Sequence, residues 1–196
     1  MSTSKNICVF CGSSVGARPA YVEAARELGR TLAGRRLGIV FGGGKVGLMG
    51  VLADAVLAAG GEAIGVIPEA LVAREIAHNG LTELRVVRSM HERKTLMADL
   101  ADAFIALPGG YGTLEEFFEA VTWTQLGIHR KPCGLLNVDG YYDALLALLD
   151  RAVSDGFIRE ANRSLVLDAA DVPTLLEKLE TFRPAIAEPR IDSAER

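Results

Sequence analysis

Three segments of the sequence place glycines or adjacent cations where they could serve a reaction. The first is Gly42-Gly43-Gly44-Lys45-Val46-Gly47, which satisfies the G-x-G-x-x-G pattern of a nucleotide-binding turn. Such glycines let the backbone approach a phosphate at the start of a helix. A dinucleotide site also requires an acidic residue at the end of the next strand, and Glu69 lies too far along. The segment therefore favours a nucleotide or phosphate contact over NAD or FAD, with a structural tight turn as the alternative.

The second segment is Pro108–Glu116, in which Gly109, Gly110 and Gly112 are concentrated. Three glycines in four positions expose backbone N–H groups at a predicted helix start, which is typical of an anion site. It is not a Walker A loop, because no Gly-Lys-Ser/Thr follows. Thr113 and Glu116 also have capping-box spacing, which would make Thr113 the N-cap and Glu116 the third helical residue. The glycine density exceeds what a cap requires, and this favours a functional loop.

The third segment is Ser89–Lys94, where Ser89 and Glu92 have the spacing of another capping box. It places Arg93 and Lys94 close to the first turn, where the helix dipole disfavours cations by about 0.3–1 kcal/mol each. A broken local rule of this kind often marks a functional site. The functional interpretation is a cationic pair that faces a phosphate, or a carboxylate in the same cleft. The alternative is two solvated charges.

The elements that must position these segments follow from the alternation of short apolar runs with helical periods. The predicted strands are Ile7–Cys11, Leu37–Phe41, Ala63–Ile67, Glu83–Val87, Ala103–Leu107, Cys133–Asn137 and Leu165–Leu167. The predicted helices are Pro19–Leu32, Gly47–Ala59, Met90–Leu100, Thr113–Leu126, Tyr141–Ser154 and Val172–Phe182. This order predicts an α/β, Rossmann-like, doubly wound parallel sheet with helices on both faces. We expect a single domain over residues 1–183 and a flexible tail at 184–196.

Ligands of such sheets bind at the edge where the strands end, and the glycine-rich turns gather there. The net charge of −4 lacks the broad basic field of a nucleic-acid-binding protein, so an anionic ligand must be held by local devices. No apolar stretch approaches the roughly 20 residues of a membrane helix. Met1–Asn6 is polar, and we expect no signal peptide.

The cysteines and histidines do not form a recognisable metal or redox site. Cys8, Cys11 and Cys133 are an odd, sparse set that suits a reducing cytoplasm. Cys8 lies in a predicted strand, where a separation of three directs its side chain and that of Cys11 to opposite faces. The histidines lack metal-ligand spacing: His78, His91 and His129. We expect no metal and no cofactor.

Four motifs in their order along the chain resemble the Lonely Guy family: Phe10–Ser14, Gly42–Gly50, Met90–Lys94 and Pro108–Glu116. Members are cytokinin riboside 5′-monophosphate phosphoribohydrolases that were long mislabelled as lysine decarboxylases. The resemblance covers residues 7–182. It implies a Rossmann-like fold, a homodimer, and cleavage of N6-substituted or plain adenosine 5′-monophosphate to the free base and ribose 5-phosphate.

The resemblance makes Arg93 and Glu116 the catalytic pair. The residues predicted to bind the nucleoside 5′-monophosphate are Gly12, Ser13, Gly43, Gly44, Glu75, Lys94, Gly109, Gly110, Tyr111, Gly112, Thr113, Leu114, Glu115 and Thr122. Glu116 would stabilise the positive charge that develops on the sugar, and could also cap its helix. Arg93 stays charged, so it would position Glu116 or stabilise negative charge. Thr122 lies six residues past Glu116, on a different side of the helix, and would act from another angle or a subunit seam.

Three other functions remain open from the residues. A lysine decarboxylase would need pyridoxal phosphate on a lysine. Lys45 and Lys94 are the candidates, because each lies beside a loop that could bind a phosphate. A non-catalytic nucleotide or cofactor carrier would share the fold but would not require the pair of Arg93 and Glu116. A nucleosidase with broad base preference would share the chemistry and differ only in its base pocket.

Overall fold

Parallel strand pairing organises the protein, whose computed structural model describes residues 5–72 and 77–183. The predicted contact Glu75 and the predicted tail at 184–196 lie outside these residues. The strands are β1 Asn6–Phe10, β2 Gly38–Phe41, β3 Ala63–Pro68, β4 Glu83–Val87, β5 Ala103–Ala106, β6 Cys133–Leu136 and β7 Val166–Ala169. They form one seven-stranded sheet in the order β4-β3-β2-β1-β5-β6-β7.

Helices cover both faces of this sheet. They are α1 Pro19–Gly34, α2 Gly47–Ala58, α3 Glu69–Val72, α4 Met90–Leu100, α5 Tyr111–Gln125, α6 Asp143–Ser154, α7 Glu160–Arg163 and α8 Val172–Thr181. One apolar core contains α1, α2 and α8, and the second contains α4, α5 and α6. The strand order reverses between β1 and β5, so the sheet is doubly wound as predicted. Among the helices described, none has the length and apolar character to cross a membrane.

Apart from Asn6 at the start of β1, the central strands are apolar because both of their faces are buried. In β1, Ile7 and Val9 pack into one core, while Cys8 and Phe10 pack into the other. Cys11 joins the core opposite to Cys8, which confirms that the two thiols face away from each other. Burial raises the pKa of these thiols, and that of Cys133 to about 12, so they remain protonated and unreactive near neutral pH.

Two helix starts differ from the sequence prediction. The helix predicted from Tyr141 begins at Asp143, after a 3₁₀ turn at Val138–Gly140 in which Asp139 has a φ of 51°. The helix predicted from Thr113 begins at Tyr111, with Gly110 as its N-cap. The short helices α3 and α7 were not predicted, since four residues are too few to show a helical period.

The capping-box prediction for Thr113 and Glu116 is wrong. Thr113 is the third residue of α5 and is 4 % exposed, and its side chain packs against Gly109. Gly110, in an extended conformation, takes the N-cap position, and its carbonyl accepts the N–H of Leu114 at 3.2 Å. Glu116 therefore lies in the second turn, too far along the helix to cap it, so the predicted capping role of Glu116 is wrong.

The loop after β1 packs directly against the start of α2. The N–H of Leu48 donates to the carbonyl of Gly12 at 3.0 Å, and Gly47 has a φ of +64°. A Cβ at Gly47 would collide with the backbone of Ser13 and Ser14. Gly47 is therefore required both by its backbone conformation and by the contact between the two loops.

We predict that Gly47→Ala lowers the free energy of unfolding by roughly 1–3 kcal/mol, because it adds strain and a collision with the Ser13 backbone. Urea denaturation measures the change. Gly34→Ala, at the open end of α1, is the matched control and should leave stability unchanged or slightly higher. Equal stability of the Gly47→Ala protein and the wild type would contradict this account.

Candidate active site

The start of α4 fixes the position of Arg93. Ser89 is the N-cap, and its hydroxyl oxygen accepts the N–H of Glu92 at 3.1 Å, which confirms the first half of the predicted capping box. In a capping box the carboxylate of Glu92 would accept the N–H of the N-cap residue, Ser89. Here it accepts the N–H of the preceding residue, Arg88, at 2.9 Å. Because α4 begins at Met90, Arg93 is the fourth helical residue and its side chain extends over the ends of neighbouring strands.

Arg93 forms a buried ion pair with Glu116 of α5. The Nη2 atom of Arg93 lies 3.2 Å from Oε1 of Glu116, and the two side chains are 11 % and 12 % exposed. The Nε–H group of Arg93 donates to the carbonyl of Val66, in β3, at 3.1 Å. The guanidinium also lies against Gly42, where a Cβ would collide with it. Three segments far apart in the sequence therefore hold one guanidinium.

Burial sets the protonation behaviour of Glu116. It raises the pKa of this carboxyl group above 4.5, and the charge of Arg93 is the main influence in the opposite direction. A raised pKa makes the carboxylate a better proton acceptor while Arg93 keeps its negative charge tolerable inside the protein. The pair therefore provides a positioned base or a localised negative charge. A base could accept a proton from attacking water, and a negative charge could stabilise a developing cation.

Lys94 is held by two carboxylates on α5. Its Nζ lies 2.6 Å from Oε1 of Glu115 and 3.0 Å from Oε1 of Glu119. The hydrogen bond with Glu115 is the main cause of the raised pKa of Lys94, so the side chain is a stable ammonium. Both predicted cations therefore face carboxylates in the same cleft, which was one of the two predicted arrangements.

The other glycine-rich turns make contacts within the protein. Gly12 donates its N–H to the carbonyl of Pro108 at 3.0 Å, while Ser13 is exposed at the same edge. The carbonyl of Gly43 accepts the N–H of His78 at 2.9 Å, and Gly44 forms a backbone bridge with Ala77. Gly43 and Gly44 are buried, and a Cβ at Gly43 would press against Leu84, Ile67 and Gly65.

The start of α5 is different, because its glycines face open space. Nothing among the described residues lies within 4 Å of where a Cβ would be at Gly110 or Gly112, and neither has a positive φ. Tyr111 between them is 95 % exposed. The first N–H groups of a helix have no partner within the helix. Packing does not require these two glycines, whereas close approach of an anion to the backbone does.

Two predicted contacts lie apart from the ion pair. Leu114 packs with the apolar core on its face of the sheet. Thr122 is exposed, and its hydroxyl donates to the carbonyl of Phe118 on its own helix at 2.7 Å. The 3.6-residue period places Thr122 on the side of α5 that carries Glu115, about a third of a turn from Glu116.

Sequence reasoning missed two residues that contact the predicted site. Glu119 is the second carboxylate that contacts Lys94. Its spacing of four residues from Glu115 places both on one face of the helix, and this spacing could have indicated the contact from the sequence. Tyr141 donates its hydroxyl to the carbonyl of Gly109 at 2.6 Å, and no local pattern indicates this contact across 32 residues. Within the two described ranges, no group of three His, Cys, Asp or Glu side chains could hold a metal ion.

Comparison with known proteins identifies the family. A family model described as "Possible lysine decarboxylase" matches residues 49–179. A rice (Oryza sativa subsp. japonica) protein, named probable cytokinin riboside 5′-monophosphate phosphoribohydrolase LOGL9, is 56 % identical over 93 % of this chain and 81 % of its own. The cytokinin riboside 5′-monophosphate phosphoribohydrolase LOG7 of Arabidopsis thaliana is 54 % identical over 95 % of this chain and 86 % of its own. The chain belongs to the Lonely Guy family.

Solved structures with lower identity share the fold of this Lonely Guy protein. The molybdenum cofactor binding protein of Rippkaea orientalis has a TM-score of 0.70 and 23 % identity, over 92 % of this chain and 98 % of its own. The molybdenum cofactor carrier protein of Chlamydomonas reinhardtii has a TM-score of 0.67 and 21 % identity, over 90 % and 96 %. At these identities the likeness establishes the architecture alone.

The surroundings of Lys94 are unsuited to the lysine decarboxylase in the description of the family model. A lysine that carries pyridoxal phosphate must become a neutral amine to form the Schiff base. Glu115 and Glu119 stabilise the ammonium instead and raise the pKa of Lys94. In this Lonely Guy protein Lys94 is therefore held as a fixed cation.

We predict that Glu116 titrates above 4.5 and that Arg93→Met raises its pKa further, because the neighbouring positive charge is lost. NMR titration of ¹³C-labelled glutamate carboxyl groups, with the signal assigned by Glu116→Gln, measures both values. Arg26→Met, which removes an exposed arginine of α1, should leave the Glu116 titration in place. A Glu116 pKa at or below 4.5, or no response to Arg93→Met, would disprove the coupling.

Proposed function

We propose that this protein hydrolyses the N-glycosidic bond of adenosine 5′-monophosphate and its N6-substituted forms, and releases the free base and ribose 5-phosphate. The observation that carries the proposal is the buried ion pair of Arg93 and Glu116 beside the open, glycine-flanked start of α5. Relatives named as cytokinin riboside 5′-monophosphate phosphoribohydrolases, 54–56 % identical over most of the chain, support it.

In this proposal the start of α5 binds the 5′-phosphate of the substrate. Backbone N–H groups of Gly110–Thr113 and the positive end of the helix dipole favour a dianion there. A rise of 1.5 Å per residue places Glu116 about 4.5 Å further along the axis than Thr113, so the ribose of a nucleotide anchored at the helix start extends towards the carboxylate. This arrangement favours nucleotides over nucleosides, because a nucleoside has no group for the free N–H donors.

Glu116 then acts at the sugar. Departure of the base builds positive charge on the ribose, and a carboxylate beside the anomeric carbon stabilises it. Water adds its hydroxyl to that carbon and its proton goes to the departing base, with Glu116 as the proton acceptor during attack. Arg93 stays charged at neutral pH and cannot donate the proton, so its role is to orient Glu116 and the substrate.

We predict that Glu116→Gln abolishes release of adenine from adenosine 5′-monophosphate while the protein remains folded. Glutamine keeps the shape and one acceptor oxygen towards Arg93, but it is neither a base nor a negative charge. Chromatography of the free base measures activity, and circular dichroism verifies the fold. Glu27→Gln, at an exposed position of α1, is the control and should retain full activity. Adenine release by Glu116→Gln near the wild-type rate would refute the assignment.

A substrate series separates this function from its alternatives. The wild type is incubated with adenosine 5′-monophosphate, isopentenyladenosine 5′-monophosphate, other nucleotides and the matching nucleosides, and free base is measured. We expect release from the adenine nucleotides and little from any nucleoside. Release of base from no nucleotide would favour a non-catalytic carrier. Equal release from all nucleotides would favour a nucleosidase with broad base preference. Equal release from nucleosides and nucleotides would exclude phosphate binding at Gly110–Thr113.

We further propose that the protein works as a cytoplasmic homodimer. Three free, buried thiols are compatible with a reducing compartment. Along α5, the spacing of three and four places Tyr111, Glu115, Thr122 and Leu126 on one face, and Tyr111 and Leu126 are 95 % and 65 % exposed. Large exposed apolar side chains beside an active site are typical of a subunit contact.

We predict that Leu126→Lys converts the dimer to a monomer, because a charge would be buried at the subunit contact. Light scattering coupled to size-exclusion chromatography measures the mass. Leu148→Lys, an equally exposed leucine on α6, should leave the mass unchanged. A wild type that is monomeric at micromolar concentration, or a dimer unaffected by Leu126→Lys, would contradict the proposed contact on α5.

A further inference from the structure

Two consecutive tyrosines hold the segment that leads into α5. The hydroxyl of Tyr142 donates to the carbonyl of Leu107 at 2.6 Å, and the hydroxyl of Tyr141 donates to the carbonyl of Gly109 at 2.6 Å. Tyr142 is 1 % exposed, and burial raises its pKa, so its hydroxyl remains a donor at all physiological pH. Both tyrosines come from the connection between β6 and α6, more than thirty residues further along the chain.

The carbonyl between these two is also occupied. Pro108 accepts the N–H of Gly12 at 3.0 Å, so three consecutive carbonyls, those of Leu107, Pro108 and Gly109, each have a fixed donor. A peptide group is planar and trans, and its N–H points away from its C=O. The bond from Tyr141 to the Gly109 carbonyl therefore also fixes the direction of the Gly110 N–H.

This constraint acts on the peptide that joins two glycines. Gly109 and Gly110 are consecutive glycines, which rotate more freely than any other residue pair. There is open space where a Cβ would be at Gly110, whereas Gly109 lies against Thr113 and the backbone of Gly12. On the carbonyl of the peptide that joins them, the described hydrogen bond is the one from Tyr141. Rotation by half a turn would present the Gly109 carbonyl oxygen, in place of an N–H, to an anion at the helix start.

The turn that carries the tyrosines is itself held in place. Asn137 accepts the N–H of Tyr142 at 2.7 Å and donates its side-chain amide to Asp143 at 2.7 Å. The ring of Tyr141 packs edge-to-face on Tyr142, with centroids 4.9 Å apart, and on Tyr21 of α1, at 5.7 Å. The hydroxyl of Tyr141 is thus presented by a fixed support.

We propose that Tyr141 is a positioning residue for the phosphate site. Its hydroxyl locks the peptide between Gly109 and Gly110, so that the Gly110 N–H joins those of Tyr111–Thr113 in facing the 5′-phosphate of the substrate. This inference rests on the proposed function, since it assigns the phosphate group of the same site. Tyr141 would thus be separated from the substrate by a single peptide group, the one that joins Gly109 and Gly110.

Tyr141→Phe tests the inference, because it keeps the ring packing and removes only the hydroxyl. Loss of one positioned donor should raise the KM for adenosine 5′-monophosphate roughly tenfold, and the inhibition constant of ribose 5-phosphate by the same factor. The inhibition constant of free adenine and kcat should change little, since neither depends on the phosphate grip. Tyr21→Phe, whose hydroxyl makes no hydrogen bond within the described residues, is the matched control and should match the wild type.

Each outcome decides the matter. An unchanged KM in Tyr141→Phe, or equal weakening of adenine and ribose 5-phosphate, overturns the inference, the latter because it indicates general damage to the site. Were the wild type to release no base, the proposed hydrolysis would fail, and calorimetric binding of adenosine 5′-monophosphate would still test Tyr141. Binding weakened roughly tenfold supports the positioning role. Equal binding by both proteins, or binding by neither, overturns it.

Discussion

The ion pair between Arg93 and Glu116 is the constraint on which the rest of the site depends. A carboxylate this deeply buried remains charged only if a cation accompanies it, and a buried guanidinium needs acceptors for its own N–H groups. The partner of each is on a different helix, and the pair forms only because the parallel sheet sets the starts of α4 and α5 at the same edge. The carbonyl of Val66 and the bare backbone at Gly42 complete the surroundings of the guanidinium.

The glycines of this edge serve two different purposes. Gly42, Gly47 and Gly109 are required because another part of the protein occupies the space of a side chain. Gly110 and Gly112 have nothing beside them among the described residues, and their lack of a side chain leaves the first N–H groups of α5 accessible. The first set builds the walls of the site, and the second leaves room for a ligand. Both sets look alike in the sequence.

The proposed site relies on local devices to hold an anion, because the protein as a whole is acidic. The chain carries a net charge of −4, and Lys94 is already neutralised by Glu115 and Glu119. At the proposed phosphate site, affinity would therefore rest on backbone N–H groups, and the direction of each N–H depends on the carbonyl of the same peptide. The same fold serves proteins named for binding or carrying the molybdenum cofactor, which shows that the architecture leaves the chemistry open.

The sequence by itself determined the order of strands and helices, because alternating apolar periods record which faces are buried. It also determined the start of α4, where Ser89 and Glu92 act over a few residues, and marked Arg93 as a cation that needed a partner. It did not determine the start of α5, since Thr113 has the spacing of a cap but packs against Gly109 instead. The family resemblance named Arg93 and Glu116 together, but only the tertiary structure shows that they form an ion pair and that Tyr141 holds the Gly109 carbonyl. Spacing along a chain encodes contacts within one element, whereas these contacts depend on which elements the sheet places side by side.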